Sequence, residues 1–436
     1  MSRPRFSTWF ALGVVAIMVW LLATAVWLGR ESAPAGRTVL TLRLWDQQVA
    51  AAYRESLDAF TAANPDIEVR VDVVAYAGYF DALRTDVAGG SADDIFWISN
   101  AYFAGYADSG RLLPITPSPD WEPAVVDQFT RDQTLWGVPQ LTDAGIALYY
   151  NAELLARAGV DPAVLDELYW GTPEDSLRPL AMRLTVDAQG RHAGEPGFDP
   201  GRIRQWGYNA ANDLQGIYLN FIGSAGGTFS TGDRFTFDNP QAATAFDYLV
   251  GLINADHAAP PAAATNDNGD FSRNQFLAGR MALFQSGTYN LANVAQAPFE
   301  WGVAMLPRGP AGRVSVTNGI VAAGNSATKH PEATRRVLAW LGSTAGNSYL
   351  GASGAAIPAV RSAQRVYHDY WTGRGIDVGP FFDVLDGPHL SAPGGTGFAA
   401  GFAALKPYFD EMFLGRLPVP RALQQAQEAA NTAAAR

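Results

Sequence analysis

Trp97, Ser99 and Asn100 stand together in the stretch Asp93-Asp94-Ile95-Phe96-Trp97-Ile98-Ser99-Asn100. Ile95 to Ile98 is a short, dense apolar run, the pattern of a buried strand in a parallel sheet. Ser99-Asn100 breaks the run. A helix-spaced segment with Tyr102, Phe103 and Tyr106 follows and ends at Ser109-Gly110. A flat indole and an amide that both donates and accepts thus fall at the carboxyl end of a strand, where open α/β sheets bind ligands. The competing reading is that the Trp97 ring only packs a core.

Other chemistries lack their residues. The chain has no cysteine, so disulfides, thiolate metal sites and a Cys nucleophile are excluded. There is no GxxxxGK[ST], HExxH or GxSxG pattern. Gly395-Thr396-Gly397-Phe398-Ala399-Ala400 imitates a dinucleotide fingerprint, but no strand precedes it, so it reads as a Gly-rich loop before a helix. His192, His257, His330, His368 and His389 are dispersed and read as surface residues. With 31 basic and 42 acidic residues, net charge −11, the chain lacks the basic footprint of a nucleic-acid binder. Nothing in the sequence requires a cofactor or a metal.

The elements that would position these residues follow from periodicity. A chain of 436 residues is too long for one compact core, so two lobes are expected. Thr38 to Trp45 alternates as a strand. Tyr53 to Ala63 has helical spacing, stopped by Asn64-Pro65-Asp66. Ile67 to Val74 is a second strand, Tyr79 to Val87 a second helix and Ile95 to Ile98 a third strand. This βαβαβ order predicts a parallel sheet covered on both faces. Val138 to Tyr150 reads as one long β-like run, followed by a helix from Ala152 to Ala158. The stretch 172–207 is rich in Pro, Gly and charge and reads as irregular. Asp187 to Gly190 within it reads as a turn rather than a calcium loop, since a hard cation wants several oxygens. Further on, Ala242 to Ile253, Ala333 to Leu341, Phe398 to Phe413 and Pro420 to Ala434 have helical spacing, and Phe299 to Leu306 and Val314 to Ala322 read as strands.

From about Thr38 onward the chain resembles the extracytoplasmic solute-binding proteins of ABC importers, nearest the carbohydrate class that includes maltose-binding protein. The matching segments occur in the same order. They are Leu44-Trp45-Asp46, the stretch Asp93 to Thr116, and Gly137-Val138-Pro139 through Ile146-Ala147-Leu148-Tyr149-Tyr150-Asn151. Phe276-Leu277-Ala278-Gly279-Arg280-Met281-Ala282 and Lys329-His330-Pro331-Glu332-Ala333 complete the set. The resemblance implies a two-lobed α/β fold of the periplasmic-binding-protein type (type II). Its discontinuous lobes are joined by a hinge of several crossings, with a ligand cleft between them. Residues 38–143 plus 317–362 would form the first lobe and 147–314 plus 366–436 the second. The implied function is capture of a sugar or oligosaccharide by cleft closure and delivery to the transmembrane subunits of a permease, by a monomer that is not an enzyme. The rivals are a carbohydrate hydrolase, in which Asp46 and Asp143 would have to act as the carboxylate pair, and a sensor-associated binding protein.

On this resemblance the candidate site is assembled from groups facing the cleft. Trp97 would offer a ring face to the apolar side of a sugar. Asp46 and Asp143 would accept hydrogen bonds from hydroxyls, and ionised acceptors make the stronger bonds. Gln47, Asn100, Asn212 and Asn318 can donate and accept. Asp213 stands beside Asn212 as an equal candidate. Tyr289 and Phe402 fall where the family places aromatics on the second lobe. Each has a plainer reading. Asp46 could end a strand, Asp143 could serve a turn or hinge, Asn212 could cap the helix beginning at Leu214, and Asn318-Gly319 could be a hinge turn.

At the N-terminus, Arg3 and Arg5 precede an uncharged stretch from Trp9 to Leu28, closed by Arg30. As a helix it would span roughly 30 Å, the thickness of a bilayer core. That length favours an uncleaved anchor in residues 1–37 over a cleaved signal ending near Ala33-Pro34-Ala35. The Arg pair favours a cytoplasmic N-terminus, and both readings put the remainder outside the cytoplasm.

Overall fold

The computed structural model describes residues 37–171 and 173–436. The segment Trp9 to Leu28 lies outside the described residues. Among those described, no helix is long and apolar enough to cross a membrane.

The first lobe begins with β1 (Thr38–Leu44), β2 (Ile67–Val73) and β3 (Ile95–Ser99), with β1 paired in parallel to both neighbours. Leu40, Leu42 and Leu44 of β1 are fully buried, and every residue of β3 is buried because both its faces are covered. Helix α1 (Gln47–Ala63) buries Val49, Tyr53, Leu57 and Phe60, the one-face spacing of an amphipathic helix. Helix α2 (Tyr76–Gly89) ends at Gly90, whose φ of 73° is the left-handed geometry of a helix stop. Helix α3 (Asn100–Asp108) follows β3 directly.

The run expected from Val138 to Tyr150 is two strands, β4 (Val138–Asp143) and β5 (Ala147–Asn151). Gly145 lies in the break between them. A Cβ there would sit 1.9 Å from Val384 Cγ1, so only glycine lets the chain pass at this point. In the second lobe β5 lies between β6 (Leu283–Ser286) and β7 (Trp301–Ala304), all antiparallel. The period-two alternation divides this small sheet between two cores. Leu148 and Leu283 enter one, while Ala147, Tyr149 and Phe284 enter the other.

Strand β8 (Ser315–Gly324) returns to the first sheet, where it runs antiparallel to both β3 and β4. Its first residues pair in parallel with β9 (His389–Ser391). The expectation of a parallel sheet therefore holds for β1 to β3 and fails for the returning strands, which make the sheet mixed. They arrive from the other lobe, so no βαβ crossover fixes their direction.

The region expected to be irregular contains a helix, Leu177–Leu184, and a short hairpin, Val186–Asp187 with Ile203–Gln205. The carboxylate of Asp187 is buried at the turn. It accepts from the backbone N–H groups of Gln189, Arg191 and Asp199 and from Arg191 Nε at 2.8–3.0 Å. Burial raises its pKa, but these donors outweigh it and bring the group to about 2. Both oxygens are engaged in holding the turn. No cluster of three or more His, Cys, Asp or Glu that could hold a metal occurs among the described residues.

Candidate functional site

Asp143 ends β4 and faces Asn318 on β8, so the strand pairing itself brings these two residues together at the crossing between the lobes. The Asp143 side chain is nearly buried, and its Oδ2 accepts from Gln215 Nε2 at 2.9 Å. Burial pushes its pKa up to about 6, against the opposing hydrogen bond from Gln215. Asn318 turns its own Oδ1 onto the backbone N–H of Gly319 at 2.9 Å, the local bond of a turn.

Asp213 lies on the second lobe and caps a π-helical turn, Leu214–Tyr218, by accepting from the Gly216 N–H at 2.9 Å. Tyr289 comes from a single 3₁₀ turn just beyond β6. A Cβ on Gly216 would lie 2.6 Å from Asp213 Oδ2 and 3.2 Å from Tyr289 Oη, so carboxylate and phenol converge above that glycine. Both groups keep contact with solvent, yet crowding by protein raises the pKa of each. Asp213 and Asp143 add to the shift on Tyr289.

The facing group on the first lobe is Tyr76, the first residue of α2. It is 60 % exposed, and its hydroxyl is raised to about 12 by crowding first, then by Tyr102, Asp213 and Asp143. So accessible a phenol is not packed in a core. Tyr76 lies edge-on to Trp45, with ring centroids 5.6 Å apart. Trp45 is half-buried just past β1, with Tyr79, Phe80 and Trp97 behind it at 4.9, 5.5 and 5.0 Å.

The structure thus gathers Asp143, Asp213 and Tyr289, with Asn318 at the crossing. Others have different occupations. Trp97 is 1 % exposed and donates its indole N–H to Tyr53, so its ring faces the first-lobe core and not the cleft. Asp46 caps α1, accepting from Gln48 and Val49 N–H through Oδ1, and Gln47 is the exposed first residue of that helix. Asn100 donates to the Ala392 carbonyl, a bond between the lobes. Asn212 donates to Asp410 Oδ1 at 2.9 Å, which turns it away from the cluster. Phe402 stacks on Phe398 at 5.6 Å and packs against the second-lobe core.

Trp45, Tyr76 and Gln215 are the groups that sequence reasoning missed. Trp45 and Tyr76 follow the carboxyl ends of β1 and β2, the same rule that singled out Trp97. The signal was there, but at the end of β1 it was read onto Asp46 and Gln47, and at the end of β2 it was not applied. Gln215 carried none, because its reach to Asp143 depends on the π-helical turn. Together the groups offer a half-exposed ring face, two carboxylate acceptors, two phenols and an amide donor.

Residues 45–348 match the family model described as bacterial extracellular solute-binding protein. The chain belongs to this family and serves as the extracytoplasmic solute-binding component of an ABC-type importer. The maltodextrin-binding protein MdxE of Bacillus subtilis is 25 % identical over 320 residues, 72 % of this chain and 71 % of that protein. Crystalline UspC of M. tuberculosis is 71 % identical, with 91 % of this chain and 100 % of that chain covered and a TM-score of 0.75. The MalE domain of Bdellovibrio bacteriovorus bound to maltotriose is 17 % identical and shares the fold, with a TM-score of 0.74 over 91 % of this chain and 99 % of that one.

Proposed function

We propose that the solute is a sugar or oligosaccharide, held between Trp45 and Tyr76 of the first lobe and Asp143, Asp213, Gln215 and Tyr289 at the crossing and on the second lobe. The observation that carries this reading is the pairing of a half-exposed indole with acceptors and donors brought from two lobes. A pyranose needs both, an apolar ring face against its C–H groups and hydrogen-bond partners around its hydroxyls. The names of the relatives, which include a maltodextrin-binding protein, support the same chemistry. Contacts from both lobes would favour the closed form, and a ligand shifts that equilibrium only by its differential affinity for the two forms. The closed form would then dock on the permease.

The lobes would divide as the cores do. One core draws on residues 40–141 and 320–363, and the others draw almost entirely on 144–316 and 367–430. The N-terminal stretch Trp9 to Leu28 would anchor the protein at the outer face of the membrane. Binding would occur without turnover, since Asp46, the partner a hydrolase reading requires for Asp143, is occupied as a helix cap.

A thermal-shift panel of maltotriose, mannotriose, monosaccharides and polyols tests the reading, since ligand bound to the native state raises its stability by mass action. A saturable rise with a sugar supports it. A flat response across the sugars, or cleavage products accumulating on chromatography, would reject it.

A further inference from the structure

The Trp97 indole heads a chain of partners that ligand contact does not call for. Its N–H donates to the Tyr53 hydroxyl at 3.0 Å, and that hydroxyl donates to Gln140 Oε1 at 2.5 Å. Gln140 Nε2 donates to the carbonyls of Val138 and Pro139, each at 3.1 Å. All three side chains are buried. Indole nitrogen can only donate, so Tyr53 must accept from Trp97 and give its own proton to Gln140. The chain has one direction and no spare member.

A phenylalanine in place of Tyr53 would fill nearly the same space, so packing alone does not explain the hydroxyl. What the hydroxyl adds is orientation, because an orphaned N–H or amide oxygen in a dry core is costly and only one arrangement satisfies both. Each end of the chain lies behind a group of the proposed cleft. At one end the Trp97 ring backs Trp45 edge-on, with an interplanar angle of 77°. Behind it the Tyr79 hydroxyl lies 2.8 Å from the Trp97 carbonyl and 3.1 Å from the Arg43 carbonyl, which holds the end of β3 to the end of β1. At the other end Gln140 sits on β4, the strand that finishes at Asp143. Its backbone carbonyl takes N–H donors from Asn347 and Ala359, which tie this part of β4 to both of those segments.

We infer that Tyr53, Trp97 and Gln140 are positioning residues that hold the Trp45 ring in one orientation and fix it relative to the strand carrying Asp143, without touching the ligand. The inference rests on reading Trp45 and Asp143 as cleft groups.

Fluorine-19 NMR of the full chain labelled with 5-fluorotryptophan tests it without a ligand. Trp45→Phe and Trp97→Phe assign the two lines. In Tyr53→Phe the Trp97 line shifts, and the Trp45 line is expected to broaden or split as its ring samples more than one orientation. A Trp45 line unchanged in position and width while Trp97 moves would overturn the inference and leave Tyr53 a residue of stability alone. A urea melt of the same variant reports stability separately, since either role lowers it. Should Tyr53→Phe not fold, Trp97→Phe deletes the same N–H while keeping an aromatic ring, and the Trp45 line is read again. The underlying reading of Trp45 as a ligand contact is tested apart from this, by the sugar affinity of Trp45→Ala, so either can fail without the other.

Discussion

In the proposed site the first lobe supplies rings, Trp45 and Tyr76, set just past the ends of β1 and β2 and backed by Tyr79, Phe80 and Trp97. The second lobe supplies Asp213, Gln215 and Tyr289 to it, carried on two short turns. The first wall stands at the ends of β1 and β2, in a sheet whose β3 is buried at every residue. The second stands on turns; the π-helical one buries Gly216, Ile217 and Tyr218 but leaves Asp213 at its start exposed. The difference suggests a division of labour. On the proposed reading an apolar face would receive the ring of the solute, and polar groups from the other lobe would close over its hydroxyls.

The largest expected effect separates the ring proposed to face the cleft from the ring behind it. Trp97→Ala empties a buried site and should cost about 3–5 kcal/mol of folding stability. Urea melts check this, and a loss under 1 kcal/mol would place the Trp97 ring outside the core. Next is the pH dependence set by Asp143, whose folded pKa stands near 6 against an unfolded value of 3.8. Between those values the native state binds more protons than the unfolded one, so stability falls as pH rises from about 4 to 6. The loss at neutral pH is about 2–3 kcal/mol in the unliganded protein, at 1.36 kcal/mol per pKa unit. Asp143→Asn should flatten that part of the profile in melts from pH 4 to 7, and an unchanged profile would assign it to other groups.

Trp45→Ala tests the apolar wall. Burying one ring face against a sugar is worth roughly 1–3 kcal/mol, about ten- to a hundredfold in dissociation constant. Calorimetric titration reads it, and an unchanged affinity would remove Trp45 from the site. The smallest effect is on the polar wall. Tyr289→Phe deletes one hydroxyl and should weaken binding by about 0.5–1.5 kcal/mol, the net value of a typical hydrogen bond. If Tyr289→Phe cost more than Trp45→Ala, the second wall would be the dominant one and the division of labour would be reversed.

The same contrast explains what could be read before the structure. The first lobe was legible almost strand by strand, because its hydrophobic periods are strong and local. The helix from Phe398 to Phe413 was also found at its observed bounds. Two things were not legible for want of local signal. The direction of β8 depends on where the chain returns from the second lobe, and the break at Gly145 depends on Val384, more than two hundred residues away. Among candidate site residues, Asp143 and Asp213 were named on the family resemblance and stay in the proposed site, while Asn212 was claimed by Asp410, a partner that only tertiary folding supplies. Trp97 was placed at the right end of the right strand, but its side chain points to the inner face. Register within a fully buried strand leaves no alternation by which to tell the two faces apart.

The most direct test of the account is small-angle X-ray scattering of residues 37–436 with and without a saturating sugar from the thermal-shift panel. Two walls on separate lobes that both grip the solute predict a smaller radius of gyration when the sugar is bound, and the same decrease should be lost in Asp213→Ala at a concentration that still saturates Trp45. A bound sugar that leaves the radius of gyration unchanged would mean that one wall holds the solute alone, which would contradict capture by closure.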